Sequence, residues 1–169
     1  MLIIFGGLPG TGKTTIAREL ARQIGAVHLR IDSIERAILD SGLISKPINE
    51  TGYLVAYAVA VDNLRIGRTV IADSVNALPV TRNAWLEVAK RASVDAMEIE
   101  IECFDTDEHR RRVENRIADI PGLKLPTWQE VSSREYHPWD RQHIVVDTAR
   151  QSVEQNVQTL RTVLVSRKG

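Results

Sequence analysis

The stretch GGLPGTGKTT, which begins at Gly6, constrains the fold of this chain more than any other feature of the sequence. Its residues satisfy the spacing G-x-x-x-x-G-K-S/T from Gly7 to Thr14. The pattern follows the apolar run LIIF and precedes the amphipathic run KTTIARELARQIG, so it joins a buried strand to a helix, the context in which it binds phosphate. Glycines let backbone N–H groups converge on an anion, and the helix adds its positive dipole end. This first turn is therefore predicted to hold phosphate.

The residues of this loop share the contacts with a bound nucleotide. Lys13 is expected to reach the β and γ phosphates, and the Thr14 hydroxyl is expected to ligate Mg²⁺. Thr15 is placed to meet the α phosphate. The predicted nucleotide-binding set is Gly7, Leu8, Pro9, Gly10, Thr11, Gly12, Lys13, Thr14 and Thr15.

Further strand-like runs follow along the chain: AVHLRI, RTVIAD, MEIEIECF and HIVVDT. Helical periodicity separates them, and this alternation favours a parallel sheet covered on both sides. We therefore predict an α/β protein with a single-domain P-loop NTPase fold over residues 1–169, in which helices cover both faces of a five-stranded parallel sheet. The glutamates of MEIEIECF alternate along one side, so this strand is expected to be partly exposed or near the sheet edge.

The charge balance and the single cysteine narrow the class of protein. Lysine plus arginine and aspartate plus glutamate both number 22, so a nucleic-acid partner is not favoured, because duplex binders usually show a basic excess. One cysteine cannot form an internal disulfide, which fits a reducing cytosol. No run of about 18 apolar residues and no signal-peptide pattern is found. We expect a cytoplasmic location and no membrane partner.

Two aspartates follow strands at the carboxyl edge of the predicted sheet, where ligands of such folds bind. Asp32 follows the second strand and could accept the proton of a hydroxyl nucleophile. Otherwise it only caps the next helix and pairs with Arg36, one turn later on the same face. Asp73 ends the third strand at the Walker B position, where a carboxylate orients Mg²⁺, or it is an ordinary strand-end residue. The predicted metal ligands are Thr14 and Asp73.

Three further side chains are candidates for binding the acceptor. Asn76 lies three residues beyond Asp73 and could touch substrate or metal. Tyr53 could line an acceptor pocket from its helix, or pack in the core. Arg82 could reach the acceptor, or form an ordinary surface ion pair. Together with Arg36, these residues form the predicted substrate-binding set.

The run EHRRRVENR carries Arg112 and Arg116, which are four residues apart and project from one face of a predicted helix. On the same helix, Val113 and Ile117 are expected to face the core. Guanidinium groups aimed at the γ phosphate would stabilise its charge in the transition state. Because the proline-containing loop ADIPGLKLPTW follows, we predict an arginine-bearing lid over about residues 105–135. The alternative is a solvated, charged helix.

The segments GLPGTGKTT, RIDSIER, VIADSVN and HRRRVENR, in this order, resemble the small P-loop kinases of the polynucleotide kinase and zeta-toxin type. Chloramphenicol phosphotransferase, gluconate kinase and adenylylsulfate kinase are similar in plan, and relatives are often labelled AAA-family ATP-binding proteins. The resemblance implies ATP as the nucleotide, Asp32 as the base, and Arg36 as a contact of the acceptor. It also implies that Arg112 and Arg116 are lid arginines.

The expected function is therefore a kinase that moves the γ-phosphoryl group of Mg²⁺-bound ATP to a hydroxyl of a small molecule. The predicted catalytic set is Asp32, Lys13, Arg112 and Arg116. Two alternatives stay open: a polynucleotide 5′-hydroxyl kinase, and a slow ATPase that acts as a nucleotide-binding regulatory or toxin-like module. The GTPase base-reading pattern N/T-K-x-D is absent from the sequence. The sequence leaves open the acceptor, the oligomeric state and the preference for ATP over GTP.

Overall fold

The computed structural model describes residues 1–42 and 50–166, in which five parallel strands form one sheet of order β2-β3-β1-β4-β5. The strands are β1 (Leu2–Gly6), β2 (Val27–Arg30), β3 (Val70–Asp73), β4 (Ala96–Glu102) and β5 (Ile144–Asp147). The helices are α1 (Lys13–Ile24), α2 (Ile31–Asp40), α3 (Thr51–Arg65), α4 (Pro79–Arg91), α5 (Thr106–Asn115), α6 (Trp128–Ser132) and α7 (Val153–Ser166). The predicted fold class is confirmed.

The apolar run of β1 lies at the centre of the sheet and is buried on both faces. Ile3 and Phe5 pack on one face in a cluster that includes residues of α1 and α7. Leu2 and Ile4 pack on the opposite face in a cluster that includes residues of α3 and α4. Side chains of a strand alternate between faces, so a strand that must be apolar on both faces reads as a continuous hydrophobic run.

The strand order reverses direction at β1, and this positions the site. The chain runs from β1 to β2 and β3 on one side of the sheet, and then to β4 and β5 on the other. In open α/β sheets, ligands bind beyond the carboxyl ends of the strands at such a switch point. Here the loop after β1, the start of α2 and the end of β3 meet at that edge. None of the helices within residues 1–42 and 50–166 is long and apolar enough to cross a bilayer.

The expectation for MEIEIECF is confirmed in position, because β4 lies next to the edge strand β5, but it is wrong in exposure, because the glutamates in the middle of the strand are buried. β4 lies between β1 and β5, and Glu98 and Glu100 are both buried. Arg141 donates to Glu98 at 2.6 Å, and Tyr136 donates its hydroxyl to Glu100 at 2.7 Å. A buried carboxylate is tolerated where charge-assisted hydrogen bonds satisfy it. These donors are distant in sequence, so the pattern of the strand alone could not indicate them.

Candidate active site

The loop after β1 can adopt its shape only because three of its residues are glycines. Gly7, Gly10 and Gly12 have φ values of +136°, +87° and +93°, which residues with a side chain rarely adopt. A Cβ atom at Gly7 would clash with the carbonyl oxygen of Ile101, and one at Gly10 would clash with Val113. The pattern of glycines is therefore required both by the backbone conformation and by the close packing of β4 and α5 against the loop.

Hydrogen bonds from threonine hydroxyls hold this loop in place. The Thr11 hydroxyl donates to the carbonyl oxygen of Leu8 at 2.9 Å, and the Thr148 hydroxyl lies 2.7 Å from the carbonyl oxygen of Thr11. The ring of the buried His109 donates to the carbonyl oxygen of Pro9 at 2.8 Å. Gly12 is the N-cap of α1 and has no side chain to bond the first N–H groups of the helix. Those donors face the loop, where an anion would be stabilised.

Lys13 and Asp73 form the charged centre of the site. Both are buried. Burial lowers the pKa of Lys13, and the negative charges of Asp73 and Asp32 oppose that shift. Burial alone would raise the pKa of Asp73, but the His28 ring at 3.1 Å and the charge of Lys13 keep it below its ordinary value. Asp73 is therefore an ionised carboxylate in a buried environment, where its charge acts more strongly on a bound cation than it would in water.

Thr14 and Asp73 are the residues that could hold a nucleotide-borne magnesium ion. The Thr14 hydroxyl is near enough to Asp73 to help lower the pKa of that carboxylate. No group of three or more His, Cys, Asp or Glu side chains that could hold a metal is found in the described part of the chain. Mg²⁺ usually binds through one or two carboxylates, substrate phosphates and waters, so a sparse set of protein ligands suits a nucleotide-borne Mg²⁺.

Asp32 lies in the first turn of α2, and its side chain is 44% exposed. Arg30, whose side chain is only 5% exposed, lies 3.3 Å from Asp32 and 2.7 Å from Asp119. The alternative in which Asp32 caps the helix and pairs with Arg36 is wrong, because the N-cap is Arg30 and Arg36 pairs with Asp40. Asp32 is therefore held by a buried guanidinium while its carboxylate stays accessible.

A cavity of about 750 Å³ brings these elements together. Its walls are the phosphate loop, the start of α2, and residues of the 105–135 segment. Asp32, Lys13 and Thr14 line the same cavity. Acidic side chains at the wall are Asp32, Glu35 and Asp119, and basic side chains are Lys13, Arg18, Arg111, Arg112, Arg116, Lys124 and Arg134. The wall is cationic although the whole chain has a net charge of zero, which suits a polyphosphate ligand.

The two predicted lid arginines both line the cavity, but they do not share a helix face. Helix α5 ends at Asn115, and Arg116 is its C-cap in an extended conformation. The expectation that Ile117 faces the core is wrong, since it is 88% exposed. Asp119, four residues after the end of α5, forms ion pairs with Arg18 and Arg30. These ion pairs hold the chain after α5 against α1 and the end of β2.

Arg112 and Arg116 differ in their freedom to move. Arg112 donates to Glu108 at 2.7 Å, to the Thr148 hydroxyl at 2.8 Å and to the Thr148 carbonyl at 3.0 Å, so all its guanidinium nitrogens are engaged. Arg116 has no hydrogen bond or ion pair with any residue in the described ranges. It is close enough to Lys13 that its charge lowers the pKa of the lysine.

The predicted acceptor-binding residues lie outside the cavity lining. Arg36 binds Asp40 and donates to the carbonyl oxygen of Gly122 at 2.7 Å, so it ties α2 to the loop of the 105–135 segment. Asn76 is fully buried at φ +49°, and its amide donates to the carbonyl oxygen of Phe5 at 2.7 Å. These contacts are structural, because each side chain is committed to the backbone or to a carboxylate of the protein itself.

Arg82 is not a surface residue, as the ion-pair alternative would require. It is fully buried, and it donates to the carbonyl oxygens of Asn76, Ala77, His137 and Pro138. Its guanidinium also lies 4.4 Å from the ring centroid of Trp139. Tyr53 packs against Tyr57 at 5.9 Å between ring centroids, and burial raises the pKa of Tyr53. Both side chains therefore stabilise the wall behind the site.

Residues 2–130 match the family model described as AAA domain. This chain belongs to the AAA domain family. A stretch of 44 residues is 43% identical to uncharacterized proteins of Mycobacterium tuberculosis and Mycobacterium bovis, but it covers 26% of this chain and only 9% of those proteins. The curated relatives are thus far longer than the segment they share with this AAA-domain chain.

Solved structures show the same fold over nearly the whole length of the chain. A candidate kinase from Chloroflexus aurantiacus has a TM-score of 0.77 at 24% identity, covering 98% of this chain and 96% of that one. The APS kinase of Mycobacterium tuberculosis, bound to AMPPNP and APS, has a TM-score of 0.73 at 20% identity, covering 96% of each chain. A gluconokinase from Sinorhizobium meliloti has a TM-score of 0.62 at 15% identity, covering 99% and 97%. The fold is that of the small P-loop kinases.

Sequence reasoning missed several side chains that form the site of this AAA-domain protein. Arg30 holds Asp32, and Asp119 is held in turn by Arg30 and Arg18. The only signal for Arg30 was a charged residue at the end of an apolar strand. Glu35 follows Asp32 by three residues, which places both carboxylates on one side of α2. The spacing of Asp32 and Glu35 can be recognised in the sequence, whereas the ion pair between Arg30 and Asp119 joins residues that are far apart in sequence.

Proposed function

We propose that this protein is an ATP-dependent kinase that phosphorylates a hydroxyl group of a small molecule. The observation that carries the proposal is that Asp32, Lys13 and Thr14 line one cavity at the switch point of a P-loop kinase fold. A nucleotide-binding site alone needs no accessible carboxylate across from its phosphate loop. A kinase needs one, because the hydroxyl nucleophile must be oriented and must lose its proton.

The nucleotide half of the site binds and orients the triphosphate. The N–H groups of the loop and the start of α1 hold the β phosphate, and Lys13 contacts the β and γ phosphates. Mg²⁺, held by Thr14 and by Asp73 directly or through water, would neutralise charge on the phosphate oxygens. Arg112 is fixed by Glu108 and Thr148 beside the loop, so it serves as a rigid positive wall.

The acceptor half supplies the base. The acceptor oxygen forms a bond to the γ phosphorus while the bond from that phosphorus to the bridging oxygen breaks, and the bridging electron pair leaves with ADP. The proton of the hydroxyl passes to the carboxylate of Asp32 and then to water. Arg30 positions this carboxylate, and Arg116, which has no partner among the described residues, can turn toward the transferring group.

The experiment that tests this proposal is acceptor-stimulated ADP release by Asp32→Asn. A panel of sugars, antibiotics, nucleosides and oligonucleotides is first screened with the wild-type protein to find a stimulating compound. With that compound, the variant should lose about 10²-fold or more in turnover while its affinity for ATP is retained. Asp62→Asn, an exposed change on α3, is the matched control. Wild-type turnover by the Asp32 variant would refute Asp32 as the base.

A polynucleotide 5′-hydroxyl is the second candidate acceptor, and the excess of basic side chains along the cavity favours it. Phosphates next to the reacting hydroxyl would use those cations, and binding would release counterions. The affinity for an oligonucleotide should then fall steeply between about 50 and 200 mM salt. A small neutral acceptor should show little salt dependence over the same range, so one titration separates the two candidates.

A further inference from the structure

Glu35 is a further carboxylate at the cavity wall, and none of the described residues pairs with it. It lies three residues after Asp32 on α2 and lines the same cavity. It makes no hydrogen bond and no ion pair with any residue in the ranges 1–42 and 50–166. Asp32, by contrast, has Arg30 beside it. Glu35 therefore has free acceptor oxygens on the same wall as the proposed base.

The fold makes room for Glu35 at this position. Gly52, in the first turn of α3, is buried, and a Cβ atom there would clash with Cγ of Glu35 and approach its Oε1 to 3.1 Å. The stem of the glutamate thus packs against the bare backbone of α3. A flexible surface glutamate would not need such a fit, so its side chain is held in place at the cavity.

Although the cavity wall is cationic, none of the described basic side chains lies close enough to Glu35 to form an ion pair with it. Burial, and then the negative charge of Asp32, raise the pKa of Glu35. The basic side chains of the cavity belong to α1, the phosphate loop and the 105–135 segment, and none of them forms an ion pair with Glu35 within the described residues. A partly desolvated carboxylate without a donor is unfavourable, and a ligand that supplies a donor removes that penalty on binding.

We propose that Glu35 binds a second hydrogen-bond donor of the acceptor, a hydroxyl or an ammonium group next to the hydroxyl that Asp32 activates. The acceptor is accordingly a polyhydroxy or amino-hydroxy compound. Side chains three residues apart on a helix have Cβ atoms about 5–6 Å apart, a spacing that two donor groups of one small molecule can bridge. This inference rests on the proposed kinase function, since it assigns the substrate class of the same site.

The first test compares matched probes in the ADP-release assay. The probes are myo-inositol and D-glucose as polyhydroxy compounds, D-glucosamine and 2-aminocyclohexanol as amino-hydroxy compounds, and cyclohexanol as the monohydroxy control. We expect kcat/KM for the best probe with two donors to exceed that for cyclohexanol at least tenfold. Equal values would overturn the role of Glu35 while leaving the kinase intact. If neither these probes nor any compound of the wider panel of sugars, antibiotics, nucleosides and oligonucleotides stimulates ADP release by the wild-type protein, the proposed function is wrong, and the inference with it.

The second test removes the carboxylate. Glu35→Ala should raise KM for the stimulating probe at least tenfold, with KM for ATP changed less than twofold. Glu35→Gln should be milder for a hydroxyl probe than for an ammonium probe, because only the latter loses a charge partner, and this separates the two donor classes. Glu87→Gln on α4, whose side chain is mostly exposed, is the matched control. An unchanged acceptor KM in Glu35→Ala would contradict the proposal.

A third variant keeps the carboxylate of Glu35 but displaces it. Gly52→Ala adds one methyl group where Cγ of Glu35 packs, so it should raise the acceptor KM in the same direction as Glu35→Ala. Retained ATP affinity shows that the variant is folded. An acceptor KM that Gly52→Ala leaves unchanged, in a folded variant, would show that the packed position of Glu35 is not needed.

Discussion

Replacing Arg30 by methionine removes a buried side chain that joins Asp32, at the start of α2, to Asp119 of the 105–135 segment. Arg30 is 5% exposed and lies 3.3 Å from Asp32 and 2.7 Å from Asp119. Two hydrogen bonds to charged groups contribute about 1.5–3 kcal/mol each at most. Both carboxylates are 40% exposed or more, so water can replace the lost donors, and solvent screening reduces the contribution of each pair.

The net loss is smaller still because Arg30 itself is costly to bury. Its Nε lies buried without a hydrogen-bond partner among the described residues, and methionine removes that cost. We therefore expect Arg30→Met to lower the free energy of unfolding by about 1–2 kcal/mol, which for a chain of this size lowers Tm by about 2–8 °C. Urea unfolding followed by circular dichroism at pH 7 measures the change, with Arg68→Met as an exposed control.

The same variant should show a defined pH dependence. Arg30 first and Arg18 second hold the pKa of Asp119 below its usual range, against the effect of partial burial. A depressed carboxylate pKa contributes stability that is present above the unfolded pKa of about 4 and is lost as the pH falls below it. The stability gap between wild type and Arg30→Met should therefore be full at pH 7 and should narrow below about pH 4. A gap that is absent at pH 7, or that widens in acid, would refute the reasoning.

Two further substitutions separate the phosphate loop from the wall behind it. Gly10→Ala places a methyl group against Val113 at a φ of +87°, so it should weaken ATP binding at least tenfold and lower the free energy of unfolding by about 1–3 kcal/mol. Equilibrium dialysis measures the first effect and urea unfolding the second, and an unchanged ATP affinity would contradict the loop geometry. Arg82→Met removes a donor from four carbonyl oxygens, of which only that of Ala77 keeps another within the described residues, the N–H of His137, and the change should cost about 3–5 kcal/mol. The acceptor KM should stay unchanged in the folded fraction, and a selective rise in that KM would instead place Arg82 in the acceptor site.

The sheet and the phosphate loop could be predicted because their signals are local. A continuous apolar run such as Leu2–Gly6 is required where a strand is covered on both faces, and the glycines follow from positive φ values at fixed positions. The glutamates of β4 are buried in the sheet although they interrupt such an apolar run, because Tyr136 and Arg141 of a later loop donate hydrogen bonds to them. Local pattern thus indicated the fold but not the exposure of this strand.

The sequence allowed us to predict those residues of the site whose position depends only on the strand that precedes them. Asp32 and Asp73 lie at the carboxyl edge of the sheet because Asp32 comes just after β2 and Asp73 is the last residue of β3, positions that the apolar runs of the sequence indicate directly. Asn76 was predicted to contact the acceptor because it lies three residues beyond Asp73, and Arg82 because it could reach the acceptor from its helix. The structure instead buries both, since backbone carbonyls of another loop and of β1 are their partners. Such long-range pairings between side chain and backbone leave no periodic trace in the sequence.

The fate of the γ phosphate of ATP tests the central claim most directly. The wild-type protein is incubated with [γ-³²P]ATP, Mg²⁺ and a stimulating hydroxyl compound, and the label is separated into phosphorylated acceptor and inorganic phosphate. The label should move to the acceptor in the wild-type protein and should stay largely on ATP in Asp32→Asn. If the wild-type protein releases the label as inorganic phosphate at the same rate with and without acceptor, the protein is a nucleotide hydrolase and the account of group transfer is wrong.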